Sequence, residues 1–175
     1  MGNPFLTKTY FLVVLLVFLV IAGVTIAVAY EAYATTTPKA ANQTQQQINT
    51  IRQTVTPQSI FLNNFLVSIF AIVPVGGPIL FGGICINTAK TIGQLAYANH
   101  ISPLLYVVGI YIPVGTIENL AYSVIIAESI FLTVALSKGA VKERLKNQTW
   151  KSLILYVAIL AIAATVEAML IRGHL

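Results

Sequence analysis

Four ionisable side chains lie within otherwise apolar stretches of this 175-residue sequence: Lys90, Glu118, Glu128 and Glu167. A charged group at membrane depth is costly, so such a residue marks a functional site by default and requires a partner. Lys90 and Glu128 fall near the middle of two predicted spanning helices, and we expect them to pair with each other. Two roles are open for this pair: a buried tether that fixes helix register, or a transport or proton-relay site.

A second group of polar and helix-breaking residues is predicted to meet beneath the external membrane surface. It comprises two carboxylates, two carboxamides and a proline–glycine pair: Glu118, Glu167, Asn63, Asn64, Pro113 and Gly115. Irregular backbone at membrane depth is tolerated beside protein or a water-filled cavity, which favours a shared polar pocket. A structural interpretation is also open. Glu118 would be stabilised by the helix dipole if Gly115 were an N-cap, the asparagines would hydrogen-bond across helices, and Glu167 would pair with Arg172.

The composition indicates the class of protein that must hold these groups. Hydrophobic residues make up 57% of the sequence and charged residues 9%, against about 25% charged residues in a soluble domain. So few charges cannot cover a globular surface facing water, and we predict an all-α, polytopic membrane helix bundle in contact with lipid. The net charge of +5 is divided among short loops, which argues against a nucleic-acid partner.

Motifs for catalysis and cofactor binding are missing from the sequence. It has no aspartate, two histidines without an HExxH pattern, and a single cysteine, Cys85, which excludes an intrachain disulfide and a CxxC site. Neither a GxSxG elbow nor a glycine-rich phosphate loop occurs. We therefore expect no catalytic residue, no metal and no cofactor, and we predict that the protein is not an enzyme.

Apolar runs separated by turn residues predict five transmembrane helices and one re-entrant half-helix. The spans are expected over residues 10–30, 60–74, 79–98, 116–137 and 152–171. The run at 104–112 is too short to cross and is drawn as the half-helix, entered from outside. If 99–115 crosses fully instead, six spans result and the amino terminus moves outside. The first run is longer than a signal-peptide core, which favours a retained helix over a cleaved leader.

Basic residues predict the orientation of these spans in the cell membrane. The loop Lys138–Lys151 holds five Lys or Arg residues and one Glu, so it should be cytoplasmic. Lys8 precedes the first span and a Thr- and Gln-rich loop follows it. We therefore expect a cytoplasmic amino terminus and an external carboxyl terminus.

One membrane domain, residues 1–175, is predicted, in three parts. Residues 1–58 hold the first span and the external loop, residues 59–138 form the core, and residues 139–175 hold the basic loop and the last span. For the external loop, a short surface helix and a solvated linker are both open. Its sequon at Asn42 fits an external position.

Three motifs follow one another in the centre of the chain, from about Phe61 to Leu136. They are "FLNN", "CINT" and "PVGTIE", and they contain Asn63, Asn64, Asn87, Pro113, Gly115 and Glu118. Their order resembles that of the stage II sporulation protein M family of membrane proteins, which has an Asn-Asn pair, a later Asn and a Pro-His-Gly-x-x-Glu motif. Val114 stands where that family has His, so proton chemistry at that His is not carried over. Thr88 and Asn119 also depart from the family pattern.

The resemblance implies an envelope protein that acts through partners. The family's namesake works with peptidoglycan-remodelling proteins during engulfment in sporulating bacteria. Our first functional prediction is a non-catalytic scaffold or regulatory subunit of a cell-envelope assembly, associated with copies of itself and other envelope proteins. The alternative is a small transporter or channel component that uses Glu118, Glu128 and Lys90 in a polar intramembrane pathway.

Overall fold

The computed structural model of the protein describes residues 8–173, with the side chains of six residues in that range excepted: 110, 111, 113, 114, 172 and 173. Apart from short turns, the described range is helical and contains no strand, which confirms the all-α prediction. The α-helices are α1 (Lys8–Thr35), α2 (Pro38–Thr54), α3 (Pro57–Ser68), α4 (Gly76–Ala98), α5 (Pro103–Tyr106), α6 (Ile112–Ser137), α7 (Val141–Arg144) and α8 (Trp150–Gly173). A 3-10 turn, Ile69–Ile72, extends α3. Two π-helical turns, Val107–Tyr111 and Leu145–Thr149, join α5 to α6 and α7 to α8.

Three helices in the described part of the chain are long and apolar enough to cross a membrane. They span Lys8–Thr35, Gly115–Ser137 and Val141–Ile171. The apolar helix Pro57–Ile72 is shorter. Helix α4 has 23 residues but is less apolar, because it carries Asn87 and Lys90. The three long helices are compatible with membrane insertion, as the composition predicted.

The proline and glycine of the third motif do not interrupt the backbone. The chain is helical from residue 103 to residue 137, and Ile112, where α6 begins, has φ −56° and ψ −46°. The predicted re-entrant half-helix over 104–112 is therefore wrong, because this segment is the first part of one long helix. The π-helical turn lies directly before Pro113, where the usual helical hydrogen-bond pattern is already altered, and such a turn tolerates the missing proline N–H. The side chain of Pro113 is outside the described residues.

The chain reverses direction elsewhere, at three turns that each contain a residue with positive φ. These residues are Val75 (64°), His100 (55°) and Gly139 (66°). A β-branched residue rarely adopts this conformation, so the turn at Val75 requires support from its surroundings. That support comes from α6: the Val75 N–H donates to Thr133 Oγ1 at 3.0 Å, and Ser129 Oγ donates to the Val73 carbonyl at 2.8 Å.

Contacts at one end of the bundle, which we call the basic end, show the directions of three helices. Tyr10, near the start of α1, stacks on Phe131 near the end of α6, with ring centroids 5.6 Å apart. The Tyr10 hydroxyl also lies 3.0 Å from Ser152 Oγ, near the start of α8. Helices α1 and α8 therefore begin where α6 ends. The basic segment Lys138–Lys151 lies between α6 and α8 at this same end.

Contacts at the opposite end, which we call the α2 end, show that α4 runs parallel to α1. Gly93, late in α4, packs so closely on the end of α1 that a Cβ there would lie 2.4 Å from the Ala29 carbonyl oxygen. Helix α3 runs the other way, because Ile60 at its start packs with Ala164 and Ala168 late in α8. The long segments therefore alternate in direction along the chain.

The Thr- and Gln-rich segment forms helix α2, which confirms the helical alternative over the linker. Thr37 caps it by accepting a hydrogen bond from the Ala40 N–H at 3.3 Å. A hydrogen bond attaches it to α4, since Thr44 Oγ1 donates to Gln94 Oε1 at 2.7 Å. Ile48 adds an apolar contact, because it packs against the cluster of buried residues around Ala29. Helix α2 thus covers one end of the bundle.

Candidate functional site

The most buried carboxylate of the described residues, Glu128, lies at the basic end of the bundle. Its side chain is 0% exposed and forms an ion pair with Arg144. Arg144 Nε donates to Oε1 at 2.9 Å and Nη2 donates to Oε2 at 2.8 Å. Thr149 donates to Oε1 and Ser152 to Oε2, both at 2.8 Å. Each carboxylate oxygen therefore accepts two hydrogen bonds, the arrangement that a buried charge requires.

Aromatic residues hold the cation of this pair in place. The Arg144 guanidinium carbon lies 4.6 Å from the centroid of the Phe131 ring, which also stacks on the Tyr10 ring. Ser152 uses its single hydrogen for the bond to Glu128, so the Tyr10 hydroxyl must donate to Ser152. The Glu128 group thus connects α1, α6, α7 and α8, and its geometry favours the tether over the relay.

The predicted pairing of Lys90 with Glu128 is wrong. Lys90 is exposed on α4, three residues before Gly93 and therefore close to the α2 end, whereas Glu128 lies at the basic end. The prediction placed Glu128 mid-span because it began that span at residue 116, but the helix extends back to residue 103. The chain reverses at Gly139 after α6, and Arg144 at the end of α7 then lies over the end of α6.

A second polar group, formed by Asn64, Glu118 and Glu167, lies among α3, α6 and α8. Asn64 Nδ2 donates to Glu118 Oε1. The Glu118 and Glu167 carboxyl groups lie close enough to interact with each other. Asn63 is exposed, and its Nδ2 lies 3.3 Å from Asn64 Oδ1. The structure thus brings together three of the residues that the sequence analysis predicted to converge, with Asn63 at the edge.

The helix break expected beside this group is not formed. Gly115 is buried within α6, and helical turns precede it, so Glu118 is not in the first turn of a helix. The interpretation of Glu118 as a residue stabilised by a helix N-terminus is therefore wrong. The side chain of Arg172, the predicted partner of Glu167, is outside the described residues.

The contact between Glu118 and Glu167 defines what this second group can do chemically. An ionised carboxylate accepts hydrogen bonds but cannot donate one, so a bond between two carboxyl groups needs a proton on one of them. Among the described residues, neither Glu118 nor Glu167 takes part in an ion pair. The group can therefore hold or exchange a proton.

The last two predicted site residues, Asn87 and Lys90, lie apart from both groups. Both are exposed on α4, on the same face as Gly83. A Cβ built on Gly83 would meet no atom within 4 Å, so open space lies beside it. This face, which we call the α4 polar face, consists of Gly83, Asn87 and Lys90.

Sequence reasoning missed several residues that the Glu128 group requires: Tyr10, Arg144, Thr149 and Ser152. A signal was present, because Arg144 is the one arginine among the five basic residues of this segment, and Arg is the residue suited to a bidentate carboxylate pair. Which cation turns inward depends on the reversal at Gly139, which the sequence pattern does not indicate. The hydrogen bond between Ser68 and Tyr156 hydroxyls (2.6 Å) was missed as well.

Comparison with known proteins adds no relative. No protein-family model, curated protein or solved structure matches the chain. The resemblance to the stage II sporulation protein M family therefore rests on the sequence motifs alone. In the structure, Asn64 and Glu118 of those motifs are hydrogen-bonded, whereas Asn87 lies on the α4 polar face.

Proposed function

We propose that the protein is a multi-span membrane protein that acts as a non-catalytic scaffold or regulatory subunit of a cell-envelope assembly. It crosses the membrane five times, because α3 and α4 alternate in direction with the three long apolar helices. Lys8 and the segment Lys138–Lys151 lie at the same end of the bundle, which supports a cytoplasmic amino terminus and an external carboxyl terminus. Its partners are further copies of itself or other envelope proteins, as in the family that its motifs resemble.

The observation that carries this proposal is the α4 polar face. Gly83, Asn87 and Lys90 follow one another at spacings of four and three residues, so they line one side of the helix. Lys90 is close enough to the α2 end to extend its ammonium group to the headgroup region. Asn87 lies about one turn deeper, where lipid offers its amide no hydrogen-bond partner. A second helix would provide one, and Gly83 allows its backbone to approach closely.

The Glu128 group supports the same interpretation. A carboxylate whose two oxygens are both occupied by donors of the same chain has no position for a substrate or ion. Its geometry instead holds the starts of α1 and α8 and the end of α6 together. We infer that the basic end is the rigid part of the scaffold and that α4 is the part that meets partners.

Photocrosslinking in native membranes tests this proposal. A photoreactive amino acid at Ile86, which is exposed beside the α4 polar face, should crosslink to a second copy or to an envelope protein that mass spectrometry identifies. The matched control is the same group at Ile162, an exposed position on α8. Lipid adducts alone at both positions would contradict the proposal. Asn87→Leu should reduce the protein crosslink at position 86 if the amide contributes to the interface.

A transporter or channel component is the second candidate, and the contact between Glu118 and Glu167 favours it. The three residues of the predicted pathway are separated, since Glu128 lies at the basic end and Lys90 on α4. Glu118 and Glu167 instead form the pair of polar groups inside the bundle that such a pathway would use. In liposomes, Glu118→Gln should abolish proton-coupled flux while the fold persists. Equal flux in this variant and the unmodified protein would exclude this function.

A further inference from the structure

A cavity of about 260 Å³ opens at the basic end, between the end of α6 and the segment that follows it. Its wall toward the bundle is apolar and is formed by Phe131, Val134 and Ala135. Its other wall is polar and includes Lys138, Arg144 and Gln148. A larger neighbouring cavity, of about 520 Å³, lies beyond it and adds Lys142 and Lys146. The two walls suit a ligand with one polar and one apolar part.

The polar wall has hydrogen-bonding groups that the ion pair and the other described residues leave partly unused. Gln148 is only 7% exposed, and its Oε1 has no hydrogen-bond partner within the described residues. Arg144 uses Nε and one N–H of Nη2 for Glu128, so its remaining guanidinium N–H groups are not used by that ion pair. Lys138 is exposed beside them. A buried amide without a partner is costly, and a bound polar group that hydrogen-bonds to it would remove that cost.

The charge at this position favours an anion. Glu128 neutralises Arg144, and Glu143 lines both cavities. Lys138, Lys142 and Lys146 still exceed Glu143 in number, so the surroundings have a net positive charge.

We propose that this cavity binds the headgroup of an anionic phospholipid. The phosphate lies against Lys138 and the free edge of the Arg144 guanidinium. The hydroxyl groups of a glycerol headgroup donate to Gln148 Oε1. An acyl chain then runs along α6 past Val134, which is 44% exposed. This inference goes beyond the scaffold function and needs only that the basic end reaches a membrane surface.

The apolar wall favours a lipid over a free phosphate ion. A soluble phosphate would use Lys138 and Arg144 but would leave the apolar wall of the cavity, including the exposed Val134, without a ligand contact. A lipid uses both walls, because its phosphate and its acyl chains are joined at the depth where α6 leaves the apolar layer. Basic groups at such a position attract anionic headgroups, each by about fivefold in affinity.

The chain contains a natural probe for the experiment. Trp150 is its only tryptophan, is 49% exposed and lies two residues after Gln148. The purified full-length protein is reconstituted into vesicles of phosphatidylcholine in which a rising fraction is replaced by brominated phosphatidylglycerol or brominated phosphatidylcholine. Bromine quenches tryptophan fluorescence at short range, so the two titrations give the relative affinity for the anionic lipid beside Trp150.

We expect brominated phosphatidylglycerol to be preferred, and Lys138→Gln to reduce the preference by about fivefold, the factor that corresponds to one basic group. Gln148→Leu should reduce it further. The matched control is Lys39→Gln, because Lys39 is an exposed lysine at the α2 end. It should leave the preference unchanged.

Either of two results in the quenching titrations would overturn the proposal: equal quenching by the two lipids, or a preference that survives both Lys138→Gln and Gln148→Leu. Soluble glycerol phosphate at millimolar concentration provides a further arm. This competitor has the headgroup without acyl chains, so a site that also uses the apolar wall should keep its preference for the lipid. Removal of the preference would show that a free phosphate group is sufficient and would contradict a lipid site. Gel filtration and circular dichroism of each variant show that a loss of preference is not a loss of fold.

Discussion

Two carboxylates on the same helix, Glu118 and Glu128, have opposite kinds of hydrogen-bonding partners. Ten residues separate them. Glu128 has a cation and two hydroxyl donors from its own chain, whereas Glu118 has one amide donor and a second carboxyl group, Glu167. The first group is closed and holds helices together. The second places two carboxyl groups side by side, and a hydrogen bond between them requires a proton on one of them. A buried acid therefore indicates a functional site only after its partners are known.

The largest expected effect is at the closed group. Arg144→Met leaves Glu128 buried without its cation, and breaking a buried ion pair in this way costs about 3–5 kcal/mol. We expect a large drop in the denaturation midpoint of the purified protein in detergent. The double variant Glu128→Gln with Arg144→Met should recover part of that loss. Full stability in the single variant would show that the ion pair is not a tether.

A smaller effect is expected from the neutral donors of the same group. Thr149→Val removes one of the hydrogen bonds to Glu128 Oε1 with little change in shape, and a buried acceptor that loses its donor costs about 1–3 kcal/mol. Thermal unfolding should show a shift in the same direction as for Arg144→Met but smaller. The matched control is Thr165→Val, because the Thr165 hydroxyl is exposed and bonds only its own helix. A larger loss in the control would contradict this ranking.

The smallest effect on stability is expected at the proton-holding group. In Glu118→Gln, the new amide oxygen accepts from Asn64 and the new amide N–H donates to Glu167, so the hydrogen bonds are replaced. We expect a change in unfolding free energy of less than about 1 kcal/mol. Infrared spectroscopy at neutral pH should show a protonated carboxyl band in the unmodified protein that disappears when Glu118 and Glu167 are both replaced by Gln. Persistence of that band would show that the proton is not held between Glu118 and Glu167.

Much of the group around Glu118 was predictable from the sequence, whereas the group around Glu128 was not. Glu118, Glu167 and Asn64 are polar residues in apolar runs, and the order of the runs along the chain indicates that they lie at similar depths. The partner of Glu128 depends instead on a short segment between two helices. Any of five basic residues there satisfies the sequence pattern, and the reversal at Gly139 followed by α7 places Arg144 over the end of α6.

The sequence by itself determined that the protein is all-helical and apolar, that a basic segment lies before the last helix, and that polar residues lie within the apolar segments. These properties follow from composition and periodicity, which act locally along the chain. Only the tertiary structure decided that the helix continues past Pro113 and that Arg144 rather than Lys90 binds Glu128. The physical reason is that these outcomes depend on contacts between distant segments: a π-helical turn absorbs the proline, and the 138–149 segment folds back over α6.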